Sequence, residues 1–157
     1  GLDAHIGRKF QEFGKRGPLP YFIIGLREYF TYKPKKYVII KDDKDKIELK
    51  PLLITIANTI QYGNGAIIAP QASPKDGILD ICIIYKIPFL EALLYTPKLF
   101  NGKINTMPYY KSFRAESVQI SLCEEKGIIH TDGEPVITEN PLNIKIIKRA
   151  LHVCAPI

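Results

Sequence analysis

Beyond Pro34 the chain is written in short aliphatic and β-branched runs, each closed within a few residues by Gly, Pro, Asn or Asp. That texture constrains the fold more than anything else, because such runs are too short for helices and too closely spaced for crossover helices between them. Tyr37-Val38-Ile39-Ile40 and Ile47-Glu48-Leu49 flank Asp42-Asp43-Lys44-Asp45 and predict a hairpin. Leu52 to Ile60 predicts a longer strand, followed by Gly63-Asn64-Gly65, a turn that uses positive backbone angles, and by Ala66 to Pro70. Further strands are expected at Ile78 to Tyr85, Ser117 to Leu122, Gly127 to His130, Leu142 to Ile147 and Leu151 to Ala155, with Asp132-Gly133 as a turn among them.

Helical periodicity is confined to two places. At the front, Ile6, Phe10 and Phe13 recur at three- and four-residue spacing, Gly14 to Pro18 reads as a stop and turn, and a second helix runs from about Pro20 towards Pro34. Its face, Phe22, Ile23, Leu26, Tyr29 and Phe30, either packs on a sheet or forms a lipid-site wall or membrane-facing surface. Pro88 to Leu94 predicts a short inserted helix, and Thr96 to Pro108 a loop-rich connection. Since the helices gather at the front rather than alternate with strands, the expected fold is mainly β. It is an antiparallel β-sandwich with two N-terminal helices and a short inserted one, forming a single domain over residues 1–157.

Several function classes drop out. Every apolar run stops well short of the roughly 20 residues that cross a bilayer, and Gly1-Leu2-Asp3-Ala4 lacks the basic start and apolar stretch of a signal peptide. Those four residues read as the middle of a longer chain. Cys82, Cys123 and Cys154 stand far apart in strand-like runs, as buried reduced thiols of a cytoplasmic protein do. A net charge of +6 favours an anionic partner. Nucleic acid fits poorly, because the aromatics cluster in the front helices instead of alternating on strands with basic residues.

Three segments can carry chemistry. No Gly-rich loop joins a strand to a helix, so nothing here cradles the phosphates of ATP. Ser73-Pro74-Lys75-Asp76-Gly77-Ile78 puts a carboxylate on a turn with outward carbonyls, an arrangement that is either a plain hairpin entry or a hard-cation site. Thr131-Asp132-Gly133-Glu134 sets two carboxylates two residues apart on a turn, where mutual repulsion can leave one as a proton acceptor. His5, His130 and His152 are scattered and form no hydrolase ordering.

Taken in order, Gly1-Leu2-Asp3-Ala4, Ile56-Ala57-Asn58, Gly63 and Gly65, Ile68-Ala69-Pro70-Gln71-Ala72, Asp76-Gly77-Ile78-Leu79-Asp80, Asp132-Gly133-Glu134 and Leu151-His152-Val153-Cys154-Ala155-Pro156 resemble the second domain of the diacylglycerol, ceramide and sphingosine kinase family. The small bacterial lipid kinases are the most similar branch. The resemblance implies a C-terminal β-sandwich domain that faces the lipid substrate, with the ATP-binding α/β domain outside this chain and the chain inactive without it. It assigns Glu134 as proton acceptor with Asp132 as its catalytic neighbour, and a magnesium site from the Asp76 side chain and the backbone oxygens of Ser73 and Ile78. It further implies ATP as co-substrate, diacylglycerol or a long-chain base as acceptor, and peripheral contact with an anionic membrane surface through residues such as Lys9, Lys15, Arg16, Lys33, Lys35 and Lys36. Homodimerisation is left open. The alternative is a non-catalytic lipid- or membrane-binding β-domain, against which the retention of both Asp132 and Glu134 counts.

Overall fold

The computed structural model describes residues 1–13, 18–122 and 126–152. Helices α1 (Leu2–Phe13) and α2 (Pro18–Thr31) come first, followed by strands β1 (Tyr37–Lys41), β2 (Asp45–Leu49), β3 (Leu53–Ala57), β4 (Gln61–Gly63), β5 (Ala66–Ile67) and β6 (Leu79–Ile84). Helix α3 (Phe89–Phe100) and a 3-10 turn at Ile104–Thr106 lead into β7 (Tyr110–Ala115), β8 (Ser117–Leu122), β9 (Lys126–Thr131), β10 (Glu134–Glu139) and β11 (Leu142–Lys145).

Two antiparallel sheets face each other, one ordered β11-β8-β1-β2 and the other β3-β6-β7. Alternation along the strands explains the packing. Tyr37 and Ile39 of β1, Leu49 of β2, and Val118 and Ile120 of β8 point inward to meet Leu79, Ile81 and Ile83 of β6. The intervening residues Cys82 and Ile84 point the other way, into a second core with Ile68, Ile104, Met107 and Tyr110, on which Ala92, Tyr95 and Leu99 of α3 rest. β6 is therefore buried on both faces, and a strand with apolar residues on both sides follows from its near-continuous Ile/Leu/Cys composition.

The predicted sandwich is present, and so are both front helices and the β1–β2 hairpin. Asp42 takes a positive φ of 46° and its Oδ1 accepts the N–H groups of Glu116 and Ser117 at 2.9 and 3.0 Å, which ties that hairpin to the β7–β8 corner. The Gly63-Asn64-Gly65 turn also forms, joining β4 to β5.

Other expectations need correction. The run from Leu52 to Ile60 is broken after Ala57, and only Ala66–Ile67 of the next run is strand. The inserted helix is longer than Pro88 to Leu94: it continues to Phe100 with Pro97 inside it. Packing of Ala92, Tyr95 and Leu99 on the core offsets the missing proline N–H. β7 and β10 were not predicted, because their polar residues hide the alternation. The predicted stop at Gly14 to Gly17, Cys123 and Cys154, Lys15 and Arg16, and the strand end at Val153 to Ala155 lie outside the described residues.

Helix α1 packs against α2 and against the β9–β10 hairpin. Glu28, only 3% exposed, fixes the first contact by accepting hydrogen bonds from Lys9 and His5, each at 2.9 Å. The Lys9 bond, working against burial, holds the Glu28 carboxyl below its usual range.

Candidate functional site

A cleft of about 1420 Å³ opens between the end of the sandwich, α1 and the β9–β10 hairpin. Its wall is apolar, from Phe10, Ile54, Ile56, Leu79, Ile120, Leu122, Ile128, Ile129 and Ile144. Its polar residues include Asp3, Asn58, Thr59, Tyr62, His130, Thr131 and Asp132. Although the chain carries a net charge of +6, no Lys or Arg side chain is among the described residues that line the cleft, whereas the carboxylates of Asp3, Asp132 and Glu139 are. The volume exceeds that of a typical small-molecule pocket and suits a long, flexible apolar ligand.

Asp132 and Gly133 sit at the tip of the β9–β10 hairpin with φ of 49° and 90°. Two consecutive positive values mark a tight two-residue turn, which is why Gly follows Asp there. Thr131 pairs with Glu134 across it. Asp132 lines the cleft, while Glu134 opens β10 beside it, exposed, its carboxylate without a hydrogen bond or ion pair to any described residue.

Three polar groups that sequence reasoning passed over meet in the same cleft. Asp3 Oδ2 lies 3.0 Å from His130 Nε2 and accepts the Tyr62 hydroxyl at 2.8 Å, and that hydroxyl lies 2.9 Å from His130 Nε2. Burial pushes the Asp3 carboxyl up, but the His130 bond and the neighbouring donors win and hold it at about 2. The Asp3 hydrogen bond raises the His130 pKa against the opposing effect of burial. No local signal could have found this cluster, since its members come from α1, β4 and β9.

The Ser73, Asp76 and Ile78 positions lie elsewhere, and none of them lines the cleft. Asp76 Oδ1 accepts the Ile78 N–H at 3.0 Å, and its other oxygen pairs with Arg114. Arg114 Nε also stands 3.8 Å from Asp80, which is 5% exposed. Burial pushes the Asp80 carboxyl up even though Arg114 pulls it down. Two carboxylates thus share one guanidinium, and Asp80 Oδ2 is buried without a hydrogen-bond partner. A corner with that surplus of oxygen and negative charge is chemically suited to a hard cation. Among the described residues no three His, Cys, Asp or Glu side chains cluster as a ready metal cage, so a cation here would depend on backbone oxygens as well.

Cys82 is a buried core thiol, pushed up to about 11 by burial, as expected for an unreactive cysteine.

Architecture and cleft together define a β-sandwich domain with an apolar groove and an acidic, hairpin-borne turn at its edge. Residues 1–155 match the YegS C-terminal NAD kinase beta sandwich-like domain, and the chain belongs to that family. It is similar to the protein named diacylglycerol kinase in Mycobacterium tuberculosis (strain CDC 1551 / Oshkosh), with 28% identity over 141 residues that cover 89% of this chain and 44% of the relative. The same figures hold for strain ATCC 25618 / H37Rv. The crystal structure of a diacylglycerol kinase from Bacillus anthracis str. Sterne shares the fold, with a TM-score of 0.57 at 20% identity over 78% of this chain and 43% of that one. The chain therefore spans less than half the length of these relatives.

Proposed function

We propose that this chain forms the acceptor side of a Mg-ATP-dependent lipid kinase that phosphorylates the hydroxyl of diacylglycerol or a long-chain base. The observation that carries this reading is the cleft: an apolar wall for acyl chains with a two-carboxylate turn at its edge. Phosphoryl transfer asks the protein chiefly to position the acceptor and manage charge. In this reading the acyl chains lie along Ile54, Ile56, Ile120 and Ile144, which brings the hydroxyl to the β9–β10 turn. Glu134 accepts the hydroxyl proton as the acceptor oxygen attacks the γ-phosphorus of ATP, whose bond to the bridging oxygen breaks to release ADP, and Asp132 orients that hydroxyl. The lack of Lys and Arg side chains in the described lining favours release of the phosphorylated, more anionic product.

ATP, held by an ATP-binding half outside this chain, supplies the transferred phosphoryl group; this chain offers no loop of its own for it. Asp76, with backbone oxygens of Ser73 and Ile78, would hold magnesium and so balance the surplus carboxylate charge beside Arg114. The apolar faces of α2 and α3, with the neighbouring lysines, would rest on an anionic membrane surface from which the lipid enters.

The test is a lipid-phosphorylation assay on the full-length protein and its Glu134→Gln variant, with thermal melts as a folding control. General-base assistance is typically worth about 10²- to 10⁴-fold, so turnover falls by that order while the melting temperature and the KM for ATP stay unchanged. A Gln variant with near-normal turnover removes Glu134 from the mechanism.

A further inference from the structure

We propose that the contact of His130 with Asp3 and Tyr62 is a clamp that fixes where the β9–β10 hairpin holds Asp132 and Glu134, which makes His130 a positioning residue for the transfer step. The inference rests on the lipid-kinase reading above and adds to it the contact that sets the acidic turn in place.

The hairpin's own structure is the first support. Among the described strands, β9 and β10 pair with each other and join neither sheet of the sandwich. No strand ladder therefore fixes their position, and none of their described residues belongs to either core. On β10, Val136 and Ile137 are exposed. A two-stranded ribbon is marginal by itself, so its placement depends on the contacts it makes with its neighbours.

The second support is where those contacts fall. At the base of the hairpin the Asn140 amide donates to the Leu122 carbonyl at 2.7 Å, and its oxygen accepts the Leu122 N–H at 3.0 Å. Between Lys126 and Glu139, every hydrogen bond that joins a described residue of the hairpin to the rest of the described molecule runs through the His130 side chain. That side chain stands two residues before Asp132, about 7 Å along the strand, and Thr131, next to it, pairs with Glu134. A ribbon held at its base alone can pivot, whereas a second hold beside the tip fixes the turn at the edge of the cleft.

The chemistry of the contact is the third support. Asp3 Oδ2 accepts the Tyr62 hydroxyl at 2.8 Å and lies 3.0 Å from His130 Nε2, which is 2.9 Å from that hydroxyl. The Tyr62 ring stands edge-on to the imidazole at 5.9 Å. Asp3 is itself fixed, since its other oxygen accepts the Ala4 N–H at 2.8 Å in the first turn of α1. The three groups satisfy one another, which leaves nothing for a ligand and suits a contact whose work is to join α1 and β4 to the hairpin. Phosphoryl transfer is sensitive to that placement, because a misplacement of about 1 Å can cost on the order of 100-fold in rate.

The experiment compares the full-length wild type with His130→Ala, His130→Gln and Tyr62→Phe by amide hydrogen exchange and by phosphorylation of a short-chain diacylglycerol in non-ionic detergent micelles. Loss of a hydrogen bond to a charged group corresponds to about 10- to 100-fold in a local opening equilibrium. In His130→Ala the β9–β10 amides are therefore expected to exchange faster by that order, and by more than the amides of β6. Turnover per folded molecule falls by about 10- to 100-fold, while the KM values for lipid and for ATP stay in place. Gln, whose amide can donate where Nε2 does, recovers part of both effects, and Tyr62→Phe, which keeps the ring, gives smaller shifts in the same direction. Unchanged exchange in the hairpin overturns the clamp. Faster exchange with wild-type turnover per folded molecule overturns the positioning role. A raised lipid KM at constant kcat overturns it too, because the contact would then be with the substrate. If His130→Ala does not fold, Tyr62→Phe decides by the same readouts. A wild type that binds the lipid without phosphorylating it sinks the kinase reading alone, and the exchange arm still judges the clamp.

Discussion

The Asp3–His130 pair shows how one contact can set both charge and stability. Asp3 is held at about 2, so it stays ionised throughout the range in which His130 titrates. His130 is raised above the ordinary histidine value of about 6.5, chiefly by the Asp3 hydrogen bond. A histidine with a raised folded pKa contributes stability that is fully present below its unfolded pKa and is lost as pH rises through the folded one. The difference in melting temperature between wild type and His130→Gln should therefore be largest near pH 5 to 6 and shrink steadily from about pH 6.5 upwards. The Asp3 contribution has the opposite sense and disappears only in strong acid, as pH falls through about 2. Melting curves across pH 5 to 9 check this, and a constant or growing difference at high pH would show that the pair is not an ion pair.

At the level of elements, the β9–β10 hairpin decides whether Asp132 and Glu134 are presented at all. A Cβ on Gly133 would meet nothing within 4 Å, so a substitution there is limited by backbone conformation alone. Gly133→Ala should cost about 1–2 kcal/mol, read as a melting temperature lower by roughly 2–8 °C. Gly133→Asn should cost less, since Asn tolerates the left-handed region. An Ala variant as stable as Asn would mean that the turn adopts another form in solution. This hairpin also marks the limit of what the sequence made legible. Asp132-Gly133 announced its turn, and β1, β6 and β8 announced themselves by apolar content. β10 did not, because Glu134-Pro135-Val136-Ile137-Thr138-Glu139 has two apolar residues side by side and neither face alternates. The extension of α3 through Pro97 was equally hidden, since what offsets that proline is tertiary packing. For the candidate site, the acidic turn was readable in the four residues Thr131 to Glu134, whereas the cleft and the Asp3–Tyr62–His130 contact depend on separations that only the fold closes.

For the whole molecule, charge and apolarity are segregated. The cleft is free of Lys and Arg side chains among its described lining residues, in a chain whose net charge is +6. Among the described residues no helix is long and apolar enough to cross a membrane. Yet α3 turns Leu90 and Leu94, 75% and 76% exposed, to the outside together with Leu93. Helix α2 exposes Ile23, Leu26 and Phe30, and the rings of Phe30 and Phe89, 5.1 Å apart, join the two helices into one surface. Of the two readings left open for the α2 face, packing on a sheet does not hold for Ile23, Leu26 and Phe30, which are exposed. Lys33, Lys35 and Lys36 follow α2, and Lys98 and Lys103 lie on or just beyond α3. An apolar face bordered by lysines is the pattern of a helix surface that lies in the plane of an anionic bilayer, where each basic side chain near the surface is worth about 1 kcal/mol. Replacing Leu90 and Leu94 by Asp removes two side chains whose burial is worth about 1.5–3 kcal/mol each. On the membrane-surface reading, the double variant should bind anionic vesicles at least about tenfold more weakly than wild type in a co-sedimentation assay. Its melting temperature should hardly move, because neither leucine belongs to a core. Raising the salt concentration should weaken the wild type further towards its affinity for zwitterionic vesicles, since only the lysine contribution is screened. Undiminished binding by the double variant would mean that α3 does not face the bilayer.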